Sequence, residues 1–352
     1  MSSERAPARG FLLALAGLVW AAGMLWSARV SITSQENAEI EVTSTAYAMP
    51  GAVSAMLVAG AAVALLVLAL VSRRSRELST TLRFAIATGT GLVVGALGAL
   101  SVITINTDGW IYAVVGGTVA AAATIGGALA GFRHPRVIAS VCWAAIAVFL
   151  VGVVLAFLQD DLLPVFGAGD DAASRANAAN YWGYAQGILS GLVAGIVAYV
   201  LVRRGTRRAG TTLPWPLYAL AGAGPGLLLV VGEILTRTAG ARVLTLAGRV
   251  SELDTAIQQT LSGTRLNNGL MVLFVGAFTA IIAVGRTMGS PPDEEPGPAT
   301  TRRRGGRPSP AASPAGSPAA APSGAAALTP VDPDEIERAA RADEPVRSGT
   351  DD

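Results

Sequence analysis

The sequence predicts an all-α membrane protein, a polytopic bundle of about eight transmembrane helices with a disordered C-terminal tail. Apolar residues make up 52% of its 352 residues and charged residues only 14%, and the mean hydropathy is +0.51. The average residue therefore prefers hydrocarbon to water. Aromatic residues are only 6%, so small and aliphatic side chains dominate, as they do in closely packed membrane helices.

Eight stretches of the chain are apolar over roughly the 20 residues that a helix needs to cross a bilayer. Each is predicted to be helical, because a backbone in lipid must form its hydrogen bonds within its own segment. The stretches run over residues 10–26, 51–71, 84–106, 111–131, 137–158, 185–202, 216–236 and 269–285. Residues 1–288 are thus predicted to form the bundle and residues 289–352 the tail.

The distribution of arginine predicts the orientation of the bundle. The N-terminus and the alternate connections that follow it carry 13 arginines, with only Glu4 and Glu77 as acidic residues. The other connections carry six arginines and ten carboxylates. By the positive-inside rule, both termini are expected to be cytoplasmic. All 26 basic residues are Arg, and with the high Ala and Gly content this usage resembles that of high-GC actinobacteria, which implies a bacterial plasma membrane.

Three segments outside the predicted spans carry further expectations. Residues 27–50 alternate apolar and polar side chains, which favours a small outer hairpin. Residues 243–261 have apolar side chains at helical spacing, which predicts one outer helix that covers the bundle or docks a partner. The Pro-rich tail is predicted to be disordered and to offer a basic cluster to anionic membrane lipids or protein partners. The basic cluster consists of Arg302, Arg303, Arg304 and Arg307.

Missing residue types exclude several kinds of chemistry. The chain has no Lys, so neither a Schiff base nor a P-loop lysine is available. It has one His and one Cys, His134 and Cys142, too few for a zinc cluster of such ligands. We therefore expect no cofactor, no metal site and no nucleic-acid partner, and an enzymatic function is disfavoured without being excluded.

Glycines recur at every fourth residue of the sixth span. Such a glycine zipper leaves one face of the helix bare, so that another helix backbone can approach closely. The second helix belongs either to the same chain or to another copy in a homo-oligomer. The stripe consists of Gly183, Gly187, Gly191 and Gly195.

The seventh span contains the features most typical of a transport site. Pro225 lies near mid-membrane between Gly224 and Gly226, and this combination predicts a kink or a break. Glu233 is the one clear carboxylate in a predicted span, and Arg237 follows it by one helical turn. The two residues form either a local ion pair or part of an ion or proton site.

Three functional hypotheses follow from these observations. The first is a non-enzymatic scaffold or interaction protein, for example in cell-envelope assembly, that binds partners through its tail and the 243–261 helix. The second is a transporter or permease subunit that uses the broken seventh helix and Glu233. The third is an envelope-lipid enzyme that uses the adjacent outer carboxylates Asp160 and Asp161.

Overall fold

The computed structural model describes residues 5–33, 38–74, 79–105, 110–250 and 252–287. These residues form a bundle of α-helices in which eight are long and apolar enough to cross a membrane, as the sequence predicts. The helices are α1 (Arg5–Thr33), α2 (Ala38–Arg74), α3 (Thr80–Ile103), α4 (Trp110–Ala130), α5 (Pro135–Leu162), α6 (Ala172–Ala209), α7 (Trp215–Thr238), α8 (Ala241–Val250) and α9 (Glu252–Gly285). A short 3₁₀ turn, Leu163–Phe166, follows α5.

The helices pack as two halves. In the N-terminal half, α1–α4, the most buried helix is α2, which packs against α1, α3 and α4. In the C-terminal half, α5–α9, α9 packs against α7 and α6, and α5 packs against α6 and α7. The halves meet chiefly where α2 packs against α7, α8 and α5. The buried side chains of α2, including Leu57 and Val58, form the centre of the largest apolar core.

Glycine lets the helix backbones approach closely in both halves. A Cβ placed at Gly91 or Gly127 would overlap the backbone of the opposite helix, so α3 and α4 pack with almost no side chain between them. The same holds for Gly222 and Gly276 where α7 crosses α9. Because the hydrophobic effect does not drive helices together inside a bilayer, such close backbone contact supplies much of the packing energy.

One end of the bundle carries the arginines at or just after the C-terminal ends of α2, α4, α6 and α9, and we call it the arginine-rich end. These residues are Arg73, Arg74, Arg133, Arg203, Arg204, Arg207, Arg208 and Arg286. Arg83 Nη2 donates to the Phe132 carbonyl at 2.7 Å, which joins the start of α3 to the end of α4. Tyr199 donates its hydroxyl hydrogen to Thr287 Oγ1 at 3.0 Å and accepts from Arg203 Nη1 at 2.5 Å. These bonds hold the ends of α6 and α9 together at this end.

One predicted segment outside the spans has a different structure. No hairpin forms over the described part of residues 27–50, because α1 continues to Thr33 and α2 already begins at Ala38. Ile32 is 4% exposed within the main core, so tertiary packing overrides the alternating pattern of β-branched residues.

Residues 243–250 and 252–261 are helical, as predicted for the segment 243–261. The segment is divided between α8 and the first turns of α9, which then continues through the last span to Gly285. Val243 is fully buried against the bundle, so this end of α8 covers the protein's own core. The docking of a partner to this segment stays a prediction. The tail, with Arg302, Arg303, Arg304 and Arg307, lies outside the described residues.

Candidate functional site

A cavity of about 370 Å³ lies between the two halves. Its lining comes from α1 and α2 on one side and from α5, α6, α7 and α9 on the other. Along α7 it extends from Pro225 to Glu233, which corresponds to about 12 Å at 1.5 Å per residue. The cavity thus reaches from mid-helix toward the end of the bundle opposite the arginine-rich end. Its volume falls in the range of small-molecule sites.

The walls of the cavity are mainly apolar. Trp20 on α1 stacks on Phe149 of α5 with ring centroids 4.7 Å apart, which closes the gap between the two halves with an aromatic pair. Polar side chains are concentrated on the C-terminal half, and the N-terminal half adds Ser54. The polar lining residues are Ser54, Gln186, Ser190, Glu233, Arg265 and Asn268.

Glu233 is the centre of an ionic network at one end of the cavity. Its side chain is only 4% exposed, and Arg237 Nε donates to its Oε1 at 3.1 Å, one turn along α7. Arg265 on α9 donates from Nε to Oε2 at 3.3 Å, and the Ser262 hydroxyl also donates to Oε1. Both carboxylate oxygens therefore accept hydrogen bonds, and the network ties α7 to α9 within the C-terminal half.

The charges of this network disfavour a cation site. One buried carboxylate is paired with two guanidinium groups, whose side chains are 40% and 30% exposed, so the local balance is one positive charge. A metal ion at Glu233 would have to displace two arginines that already satisfy its charge. No cluster of three or more potential metal ligands lies within the described residues either.

Two buried polar atoms at the cavity have no hydrogen-bond partner among the described residues. They are the indole Nε1 of Trp20, a donor, and the Oδ1 of Asn268, an acceptor. A buried polar atom without a partner destabilises a structure by about 1–3 kcal/mol. Both atoms are enclosed by the protein, and Asn268 Oδ1 lies beside Gly187 of α6.

Of the kink or break predicted in α7, the break is not present. The helix is continuous from Trp215 to Thr238 with Pro225 inside it. The flanking glycines serve packing instead, because a Cβ at Gly224 would overlap Val141 of α5 and a Cβ at Gly226 would overlap the Leu273 backbone of α9. Pro225 still removes one N–H from the helix where it lines the cavity.

The glycine stripe of α6 packs within the chain along most of its length. A Cβ at Gly187, Gly191 or Gly195 would come within 3 Å of a side chain on α9. A Cβ at Gly183 would meet no atom within 4 Å, so this glycine is not part of the seam. The sequence left open whether the stripe faces the same chain, and for three of its four glycines it faces α9.

The other candidate residues lie apart from the cavity. Asp160 and Asp161 are exposed near the end of α5 and do not line the cavity, although Ala156, one turn earlier, does. The cavity therefore does not open on the two carboxylates that the enzyme hypothesis uses. Asp171, another acidic residue between α5 and α6, caps α6, where its carboxylate accepts a hydrogen bond from the Ser174 N–H at 2.9 Å.

Sequence reasoning identified Glu233 and Arg237 but missed the partners from α9. Ser262, Arg265 and Asn268 precede the apolar stretch 269–285 and were assigned to an outer connection. The sequence did offer a signal: these three residues follow one another at helical spacing directly before the apolar stretch, which indicates that the last helix begins before it. In the structure α9 runs without interruption from Glu252. Comparison with known protein families, with curated proteins and with solved structures finds no significant match.

Proposed function

We propose that this chain is a membrane transporter or permease subunit whose substrate binds in the cavity between the two halves. The observation that carries the proposal is the cavity itself, which touches both Pro225 and Glu233. Ligand sites of many transporters lie at the interface of two helix bundles that rock against each other. A solid interior would have favoured a scaffold instead.

The distribution of contacts supports a motion of the halves as units. The ionic network of Glu233 joins α7 to α9 and lies wholly within the C-terminal half. The N-terminal half contributes mostly apolar side chains to the cavity, and the Trp20–Phe149 stack spans the two halves. Separation of the halves would therefore divide apolar and aromatic contacts without separating the buried charges of this network.

We assign the arginine-rich end to the cytoplasmic side of a bacterial plasma membrane, as the positive-inside rule predicts. The cavity then extends toward the outer side in the present conformation. The scaffold hypothesis stays untested, because the tail on which it depends lies outside the described residues.

Two-sided thiol labelling tests the proposal. Ser54→Cys is placed in a Cys142→Ala background, which removes the one native thiol, a buried one. A membrane-impermeant thiol reagent is then applied to right-side-out and to inverted vesicles. A transporter that alternates between two conformations gives labelling of Ser54→Cys from both sides.

Two matched variants test whether the thiol reagent reaches Ser54→Cys through the cavity. Gly152→Leu should block labelling of Ser54→Cys, because a side chain at Gly152 enters the cavity, where the nearest atom to its Cβ is Gln186 Nε2 at 3.9 Å. Gly89→Leu should leave labelling unchanged, because a Cβ there meets no atom within 4 Å. Labelling from one side only, or from neither, would contradict transport through this cavity.

A further inference from the structure

We infer that the cavity binds an amphipathic anion, a molecule with a carboxylate or phosphate head at Arg265 and an apolar chain along the Trp20–Phe149 wall. This inference rests on the proposed function, since it takes the cavity as the substrate site. It names the chemical class of substrate that the lining selects.

The charge of the network selects an anion. Glu233 already accepts from Arg237, Arg265 and Ser262, so a cationic group would meet a neutralised carboxylate and a second positive charge. Arg265 donates to Glu233 through Nε, and no partner for its terminal amino groups occurs among the described residues. A guanidinium group with these amino groups available binds a carboxylate or phosphate through two parallel hydrogen bonds.

Asn268 adds a polar side chain to the lining beside Arg265. Because Asn268 and Arg265 lie one turn apart on α9, a single head group placed at Arg265 lies close to both side chains.

The rest of the lining selects an apolar chain. The stacked rings of Trp20 and Phe149 continue into Met24 and Val153, which also line the cavity. An inorganic anion would leave this wall in contact with water, whereas an alkyl chain would cover it and gain from the removal of apolar surface from water. The alkyl chain of the expected substrate therefore distinguishes it from free phosphate or sulfate.

A binding experiment with eight-carbon probes tests the class. The full-length protein is placed in nanodiscs of zwitterionic lipid, and equilibrium binding of radiolabelled octanoate and octyl phosphate is compared with that of octyltrimethylammonium and octanol. Empty nanodiscs give the background. We expect saturable binding of both anions and no saturable binding of the cation or the alcohol.

Variants assign the binding to this site. Arg265→Gln should weaken octanoate binding about tenfold or more, the loss expected for a charge-assisted pair of hydrogen bonds. Arg242→Gln, a change of an exposed arginine on α8, should leave it unchanged. Arg265→Lys retains the charge and should weaken binding less, which provides a second reading if Arg265→Gln fails to fold. Gly152→Leu should abolish binding, and Gly89→Leu should preserve it.

The same experiment distinguishes a free amphiphile from a membrane lipid. Addition of phosphatidylglycerol to the nanodiscs should reduce octanoate binding to the wild-type protein if the head of an anionic lipid enters the site, and should leave it unchanged if only free amphiphiles do. Either result agrees with the inferred class.

Other outcomes overturn the inference. Binding of octanol or octyltrimethylammonium that Gly152→Leu abolishes and Arg265→Gln leaves intact would overturn the anionic class and still support the cavity as a binding site. Binding of no probe in a manner sensitive to Gly152→Leu would overturn the inferred substrate class altogether. The two-sided labelling of Ser54→Cys then decides the proposed function independently.

Discussion

The seam between α6 and α9 allows a sharp test of how glycine holds this bundle together. In Gly195→Ala, the added methyl group would lie 2.5 Å from Thr279 Cβ and 2.7 Å from the Gly276 carbonyl oxygen, whereas ordinary contacts begin at 3.4 Å. The helices must therefore separate by about 0.9 Å or deform locally, and such overpacking costs about 1–3 kcal/mol. The higher helix propensity of Ala offsets up to about 1 kcal/mol of this cost.

Gly183→Ala is the matched control, because it makes the same chemical change on the same stripe of α6 where a Cβ meets no atom within 4 Å. The midpoint of thermal unfolding in nanodiscs is the measurement. We expect Gly195→Ala to lower it by roughly 2–6 °C, the shift that corresponds to a net loss of about 1–2 kcal/mol. Gly183→Ala should leave it unchanged or raise it slightly. Equal midpoints for the two variants would refute the packing argument.

Three further predictions concern polar groups. Glu233→Gln should lower the free energy of unfolding in denaturant by about 2 kcal/mol. This is less than for a fully buried ion pair, because the two arginines are partly exposed and screened by water. An unchanged free energy of unfolding would contradict the ionic network. The Ser174 N–H donates to Asp171 and lowers the pKa of that carboxyl, so the cap stabilises α6 above about pH 4 and is lost as the pH falls through the lowered value. Protection of the Ser174 amide against hydrogen exchange should show this acid step in the wild type and lack it in Asp171→Asn, and an identical step in both would argue against the cap. Tyr199→Phe removes the hydroxyl that bonds Arg203 and Thr287 and should cost about 1 kcal/mol of unfolding free energy, whereas an unchanged value would mean that these bonds do not contribute.

The spans could be predicted because hydropathy acts over whole helices. Each of the eight predicted stretches lies within or nearly within a long apolar helix. The ends were less predictable, because helices continue past the hydrocarbon wherever tertiary contacts hold them. Ile32 illustrates this, since its burial in the core keeps the last turns of α1 helical. The alternation of apolar and polar residues in this segment had favoured a strand.

The site was predictable only in part, for a similar reason. The pair Glu233–Arg237 is local, and its spacing of four residues is visible in the sequence. Arg265 and Ser262 contact Glu233 from another helix. The residue pattern within one helix does not indicate which residues of a second helix pack against it. The glycines around Pro225 suggested a break because Gly loosens an isolated helix, but here their missing side chains admit α5 and α9.

The most direct test of the account is whether the cavity holds water. A nitroxide spin label at Ser54→Cys in the Cys142→Ala background reports collisions with a water-soluble nickel chelate and with oxygen, which prefers lipid. The control label at Leu97→Cys lies on a residue that is 65% exposed on the outer surface of α3. We predict that nickel collisions dominate at Ser54→Cys and oxygen collisions at Leu97→Cys. Oxygen-dominated relaxation at both positions, or no collisions with either reagent at Ser54→Cys, would contradict a hydrated binding cavity between the halves.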